Sequence, residues 1–323
     1  MIPIARLACA VLGASVGVLV AGSARAGPTG YTFSDARLNG NNHLIRIDLA
    51  TGATTDLGPR GAFGLEGVAV GPGGRVFGVT AGGGFSSRLW DITDAPGTPF
   101  GPWANPQIFG AHVGLAYNPV NGFLYALGGT GGGVSTLVKT AHLYRHNPPN
   151  WTPVWVSSFA TAVGWYADSL AINAQGEAYA ADFSFDGVLY RVNLANGVRT
   201  LVGSLGLPEM PKLSGMDFDE CGTLWALAGF GEIYRINTVT GAATRTGTLD
   251  IPGLFCAGLA VDAQSGCGCY ADCNADGQLS VADFGCFQGK YVLGDLYADC
   301  TGDGNLTVAD FGCFQGKYVV GCP

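Results

Sequence analysis

The chain has 323 residues, of which 12% are charged, 48% are hydrophobic and 53 are glycine, with a net charge of −8. A typical soluble domain is roughly 25% charged and about 7% glycine, so this chain is charge-poor and glycine-rich. Its apolar content excludes a disordered chain, its glycines lack the G-X-Y period of collagen, and its few Lys and Arg argue against a protein that coats nucleic acid.

Residues 1–26 read as an export signal. Arg6 gives a short basic start, 7–20 is apolar, and Ala24-Arg25-Ala26 is a small-x-small cleavage site, so cleavage is expected before Gly27. The apolar stretch is shorter than the roughly 18–20 residues a membrane span needs, and no later segment reads as transmembrane. A secreted, extracellular protein is therefore expected. Removing 1–26 takes away Arg6 and Arg25 and leaves a charge of −10.

The body, 27–268, repeats. A strand of the form Gly/Ser-apolar-x-apolar opens at Gly67, Gly114, Ser169, Gly215 and Gly258, at intervals of 47, 55, 46 and 43 residues. The first four copies are followed by a second strand (Val76-Phe77-Gly78-Val79, Leu124-Tyr125-Ala126-Leu127, Ala178-Tyr179-Ala180-Ala181, Leu224-Trp225-Ala226-Leu227). A third strand follows, containing Trp90, Tyr144, Tyr190 or Tyr234, and a polar turn leads to a fourth. Four short strands per 40–50 residues is the signature of a β-propeller blade. The N-terminal piece (Tyr31, Leu44 to Asp48, Thr54 to Gly58) lacks only a first strand, and the copy at Gly258 is a first strand with nothing after it. The sequence thus predicts an all-β, five-bladed propeller closed by velcro pairing of 258–262 with the N-terminal blade, which removes an open sheet edge.

Propeller ligands are expected near the start of the innermost strands, where Glu66, His112, Asp168 and Ser214 stand. Two carboxylates and an imidazole around a cation would suit a metal-assisted hydrolase, and a wet, polar channel mouth is the alternative. Gly64-Leu65-Glu66-Gly67-Val68-Ala69-Val70 resembles the glutamate-bearing inner strand of gluconolactonase-type propellers, which hold calcium centrally; the likeness covers one strand of one blade. No G-x-S-x-G, H-E-x-x-H or P-loop motif occurs. His43, His142 and His146 are expected to be solvated, and the recurrent Tyr and Trp to pack between blades.

The tail, 269–323, is the most specific part. Residues 272–294 and 299–321 agree at 18 of 23 positions at an offset of 27. Each copy follows D-x-[N/T]-x-D-G-x-L-[S/T]-x-x-D. The first places Asp272, Asn274, Asp276, Gln278, Ser280 and Asp283 at loop positions one, three, five, seven, nine and twelve, and the second Asp299, Thr301, Asp303, Asn305, Thr307 and Asp310. Calcium takes six to eight oxygens, and alternate residues of a tight loop can face one centre, with Gly277 and Gly304 allowing the turn. Gln278 and Asn305 are expected to contribute backbone carbonyls, and Ser280 and Thr307 to act through water. Two calcium ions are expected. A helix should leave each loop, with an apolar stripe of Val281, Phe284, Phe287 and Tyr291, and of Val308, Phe311, Phe314 and Tyr318. No room exists for a helix entering either loop.

Two half EF-hands in tandem resemble the dockerin module, and with terminal Gly321-Cys322 the tail is similar to a Cys-bracketed, dockerin-like domain of exported bacterial proteins. The resemblance implies a small α-helical, calcium-binding domain that attaches its carrier to a cell-surface or scaffold receptor. Type I dockerins often recognise cohesin through Ser/Thr pairs at positions ten and eleven, where this chain has Val281-Ala282 and Val308-Ala309. Attachment, rather than cohesin binding as such, is what carries over. Nine cysteines remain after export, and pairs Cys273–Cys286 and Cys300–Cys313 with a Cys269–Cys322 bracket would keep the repeat. Connectivity stays open, as does a zinc alternative at Cys267, Cys269 and Cys273. Function is expected to be binding of a protein or glycan by a tethered propeller, with a tethered lactonase- or glycosidase-like hydrolase as the alternative.

Overall fold

The structure is a computed structural model describing residues 27–34, 42–61, 64–80, 88–100, 113–130, 139–161, 167–182, 187–207, 213–251, 256–262, 270–274, 279–301 and 305–321. Residues 1–26, expected to be an export signal, lie outside the described residues, as do His112, Asp276, Gln278, Asp303 and the cysteines at 267, 269 and 322.

Five four-stranded antiparallel sheets form the body. Blade two holds β4 (Leu65–Val70), β5 (Val76–Thr80), β6 (Leu89–Asp91) and β7 (Thr98–Pro99), and blade three β8 (Val113–Asn118), β9 (Phe123–Thr130), β10 (Lys139–Asn147) and β11 (Thr152–Thr161). Blade four holds β12 (Ala167–Ile172), β13 (Ala178–Asp182), β14 (Val188–Val192) and β15 (Arg199–Ser204), and blade five β16 (Leu213–Phe218), β17 (Leu224–Ala228), β18 (Glu232–Ile236) and β19 (Ala243–Thr248). Blade one joins both ends of the propeller: β20 (Cys256–Val261) pairs with β1 (Thr29–Ser34), which continues to β2 (His43–Asp48) and β3 (Thr54–Pro59). This is the expected velcro closure, with Gly30 opposite Val261 and Ser34 opposite Cys256. Two polar groups secure the closing strand. Thr32 Oγ1 donates to the Gly258 carbonyl at 2.7 Å, and Asp217 Oδ2 accepts the Val261 N–H at 2.9 Å.

Each blade packs its apolar residues against a neighbour, so cores lie between blades. Blades two and three share Phe77, Val79, Leu89, Leu124 and Trp151; blades four and five share Tyr179, Leu189, Met216, Leu224 and Tyr234. A second strand such as β9 therefore buries both faces, Leu124 and Ala126 toward one neighbour and Tyr125 and Leu127 toward the other. That two-sided burial accounts for the low charge and for the recurrent aromatics. The turns that leave the inner strands are set by Asx side chains: Asn118 Oδ1 accepts the Val120 N–H at 2.9 Å, and Asp219 Oδ1 the Thr223 N–H at 2.8 Å.

The innermost strands meet in the order β4, β8, β12, β16, β20 and back to β4. Here the Gly/Ser of the repeat has a steric cause. A Cβ on Gly215 would stand 2.1 Å from the Leu259 nitrogen, and Gly258 adopts φ +70° with its Cβ direction 2.8 Å from the Glu66 carbonyl. Backbone packs on backbone at the hub.

One expectation fails in the body. His146 is fully buried, not solvated, because β10 lies between β9 and β11. Its Nδ1 is 3.1 Å from the Trp151 carbonyl, and burial lowers its pKa to about 4. His43 pairs with Asp56 at 2.8 Å. The side chain of His142 lies outside the described residues.

In the tail, α1 (Val281–Leu293) and α2 (Val308–Val320) are the two exiting helices, with a single 3-10 turn at Leu296–Ala298 before the second loop. Disulfides Cys273–Cys286 and Cys300–Cys313 each span 13 residues. Cys273 is thereby removed from any zinc cluster. Cys221, in the β16–β17 turn, is also disulfide-bonded, and Cys256 is a buried thiol. The apolar stripe needs correction at its first member: Val281 and Val308 are both 85% exposed, since the first residue of each helix projects away from the shared core.

Candidate functional site

At the axis, the residues just ahead of the hub positions are Glu66, Val113, Asp168, Ser214 and Ala257. Glu66 and Asp168, expected near the start of the innermost strands, lie within them. In β4, β12 and β16 the pairing shifts by one residue at this point, so Glu66, Asp168 and Ser214 are each the extra residue of a β-bulge. A bulge re-aims a side chain out of the alternation of its strand. In β8 the ladder runs without a shift from Val113 to Asn118, so Val113 holds the corresponding place and His112 stands one residue further out. Among these side chains Ser214 is already engaged, with Oγ donating to the Leu227 carbonyl at 3.2 Å. Glu66 is half-buried, and the side chains of His112 and Asp168 lie outside the described residues. Deeper on the axis, a cavity lined by the hub residues has a volume of about 10 Å³. Pockets for drug-sized ligands run to roughly 300–1,000 Å³, so the hub itself is too small for one.

In the tail, the loops are organised around their twelfth residues. Asp283 and Asp310 are fully buried and stand at the third position of α1 and α2. Each closes a capping box with the N-cap residue, Ser280 or Thr307. Asp283 Oδ2 accepts the Ser280 N–H at 2.8 Å and Oδ1 the Asn274 N–H at 3.3 Å; Asp310 Oδ2 accepts the Thr307 N–H at 2.7 Å and Oδ1 the Thr301 N–H at 3.1 Å. Burial alone would raise the Asp310 pKa, but these bonds together hold it below the ordinary carboxylate value.

The second loop also gathers oxygens from three expected ligand positions. Thr301 Oγ1 lies 2.9 Å from Asp310 Oδ1 and 3.4 Å from Asp299 Oδ1. In the first loop Asp272 is buried. An all-oxygen donor set of this kind fits a hard cation such as calcium. Among the described residues no cluster of three His, Cys, Asp or Glu side chains occurs; position five of both loops lies outside them.

The two halves of the tail share one core about a pseudo-two-fold axis. Phe287 and Phe314 stack at 4.3 Å; Phe284 meets Phe314 edge-on, as Phe311 meets Phe287, both at 5.1 Å. Tyr270 and Tyr297 stack at 4.8 Å, and each hydroxyl donates to the other's carbonyl at 2.5 Å. Lys317 sits 4.4 Å from the Tyr270 ring and Lys290 4.7 Å from the Tyr297 ring. Burial pushes both tyrosines up, and Arg235 of blade five, itself stacked on Trp225 at 4.6 Å, is close enough to oppose that rise. These two tyrosines are not singled out in the sequence. Their shared offset of 27 was the available signal.

No protein-family profile matches this sequence, and no curated protein matches it. Similar solved structures include a protein from Lactobacillus plantarum (14% identity, 70% of this chain and 68% of that one, TM-score 0.42). Others are TolB from Acinetobacter baumannii (10%, 74% and 67%, TM-score 0.43) and a gluconolactonase from Xanthomonas campestris (13%, 71% and 78%, TM-score 0.43). Values this low carry no activity from those proteins to this chain.

Proposed function

We propose that this chain is an exported β-propeller that binds a protein or glycan and is attached to the cell surface through its dockerin-like, calcium-binding tail. The observation that carries the reading is the duplicated loop–helix unit, in which a buried aspartate ties together two parts of each loop and, in the second loop, bonds Thr301, which also reaches Asp299. Residues 272, 274, 276, 278, 280 and 283, with 299, 301, 303, 305, 307 and 310, hold one calcium ion each. When bound, calcium neutralises the loop carboxylates and supplies the attraction that closes each loop. The protein's own residues do the rest: Asp283 and Asp310 orient the loop backbone, and the aromatic core fixes the two helices against each other.

The test uses the full mature chain and envelope material from the producing cell. Wild type is expected to sediment with the envelope in calcium and to be released by chelator, and a D272A/D299A variant to remain in solution. Wild-type sedimentation that chelator leaves unchanged, or sedimentation of the variant equal to that of wild type in calcium, would overturn the anchoring role.

A second reading, a tethered propeller hydrolase, draws on the bulges that set Glu66 and Asp168 out of strand alternation. Hydrolysis of lactones or glycosides that is lost in E66Q would replace binding by catalysis.

A further inference from the structure

The repeat that opens the inner strands places Gly67, Gly114, Ser169, Gly215 and Gly258 around one axial cavity. Four blades have glycine at this position and one has a side chain. Ser169 is 2% exposed, and its Oγ has no hydrogen-bond partner among the described residues. A buried hydroxyl without a partner is costly, and a glycine here, as in the other four blades, would avoid that cost.

The surroundings offer what such a hydroxyl lacks. Each inner strand is the edge of its sheet, bonded to one neighbour only, so its axial backbone groups have no ladder partner. At about 10 Å³ the cavity has room for a single water. A buried water needs two to four polar partners, and Ser169 with the hub backbone can furnish them.

We infer that the propeller axis contains a built hydration site, in which one water is held by Ser169 Oγ and the edge backbone of the hub. The water joins blade four to its neighbours across the axis where side chains are excluded by the close approach of the strands.

High-resolution crystal structures of the full mature chain, before and after xenon pressurisation, test the site. Wild type is expected to show a water peak about 2.7–3.0 Å from Ser169 Oγ and to exclude xenon. S169A is expected to lose most of the peak's occupancy and to admit xenon. A wild-type cavity that lacks the peak, or that takes up xenon, overturns the inference. So does an anomalous signal identifying a monatomic ion in place of water.

Discussion

The propeller and the tail are both made by repetition, but they use it differently. The five blades have diverged in length and in most residues, and each shares its core with two neighbours, so removing one contact is felt around the ring. The two halves of the tail are almost the same sequence, share a single aromatic core, and are stapled by two short disulfides. A domain of about 55 residues buries too little surface to rely on its core alone. The comparison teaches where each region is vulnerable: the body at its hub, the tail at its staples and loops.

The hub should give the largest effect. Gly215→Ala sets a Cβ against the Leu259 backbone and is expected to cost more than about 3 kcal/mol or to prevent folding. Gly247→Ala, on the outer strand, meets nothing nearer than the Ile233 Cδ1 at 3.8 Å and should change the denaturation midpoint little. Similar midpoints for the two variants would contradict a backbone-packed hub.

Removing one tail staple comes next. C273S/C286S opens a 13-residue loop and is expected to cost the tail about 3 kcal/mol, enough to lose its helical circular dichroism while the propeller stays folded. Loss of both regions in one transition would show that they are a single cooperative unit. Smaller still, Ser280→Ala and Thr307→Ala each remove a helix cap worth about 1 kcal/mol. The pseudo-two-fold axis requires the two losses to be nearly equal in helix stability measured without calcium.

The most local effect is a pH dependence at the closing strand. Burial, opposed by the Val261 and Phe218 N–H groups, pushes the Asp217 carboxyl up to about 7. A raised acid pKa means that its protonated form is the better tolerated one in the folded state. Its contribution is complete below about pH 4, the ordinary carboxylate value, and is lost as pH rises through 7. The stability of D217N relative to wild type should therefore increase from pH 4 to 7 and then level off. A constant difference would contradict the shifted titration.

The architecture was legible in the sequence because its causes are local. Hub crowding forces the Gly/Ser start of each inner strand, and two-sided burial forces the Leu-Tyr-Ala-Leu type of second strand, so blade count and closure followed from Gly67 to Gly258. The bulges at Glu66, Asp168 and Ser214 were not legible, because a shifted register leaves no mark in composition. His146 was misread because a histidine in a third strand carries no sign of which neighbours flank it. In the tail, duplication exposed the loops and the two disulfide pairs. It did not show that Val281 and Val308 face outward, since helical spacing cannot say where a stripe begins, nor that Tyr270 and Tyr297 stack.

Calcium titration calorimetry on the full mature chain tests the central claim most directly. Two bound ions are expected, one lost in D272A, one in D299A and both in the double variant. Absence of binding, or two ions still bound by the double variant, would contradict it.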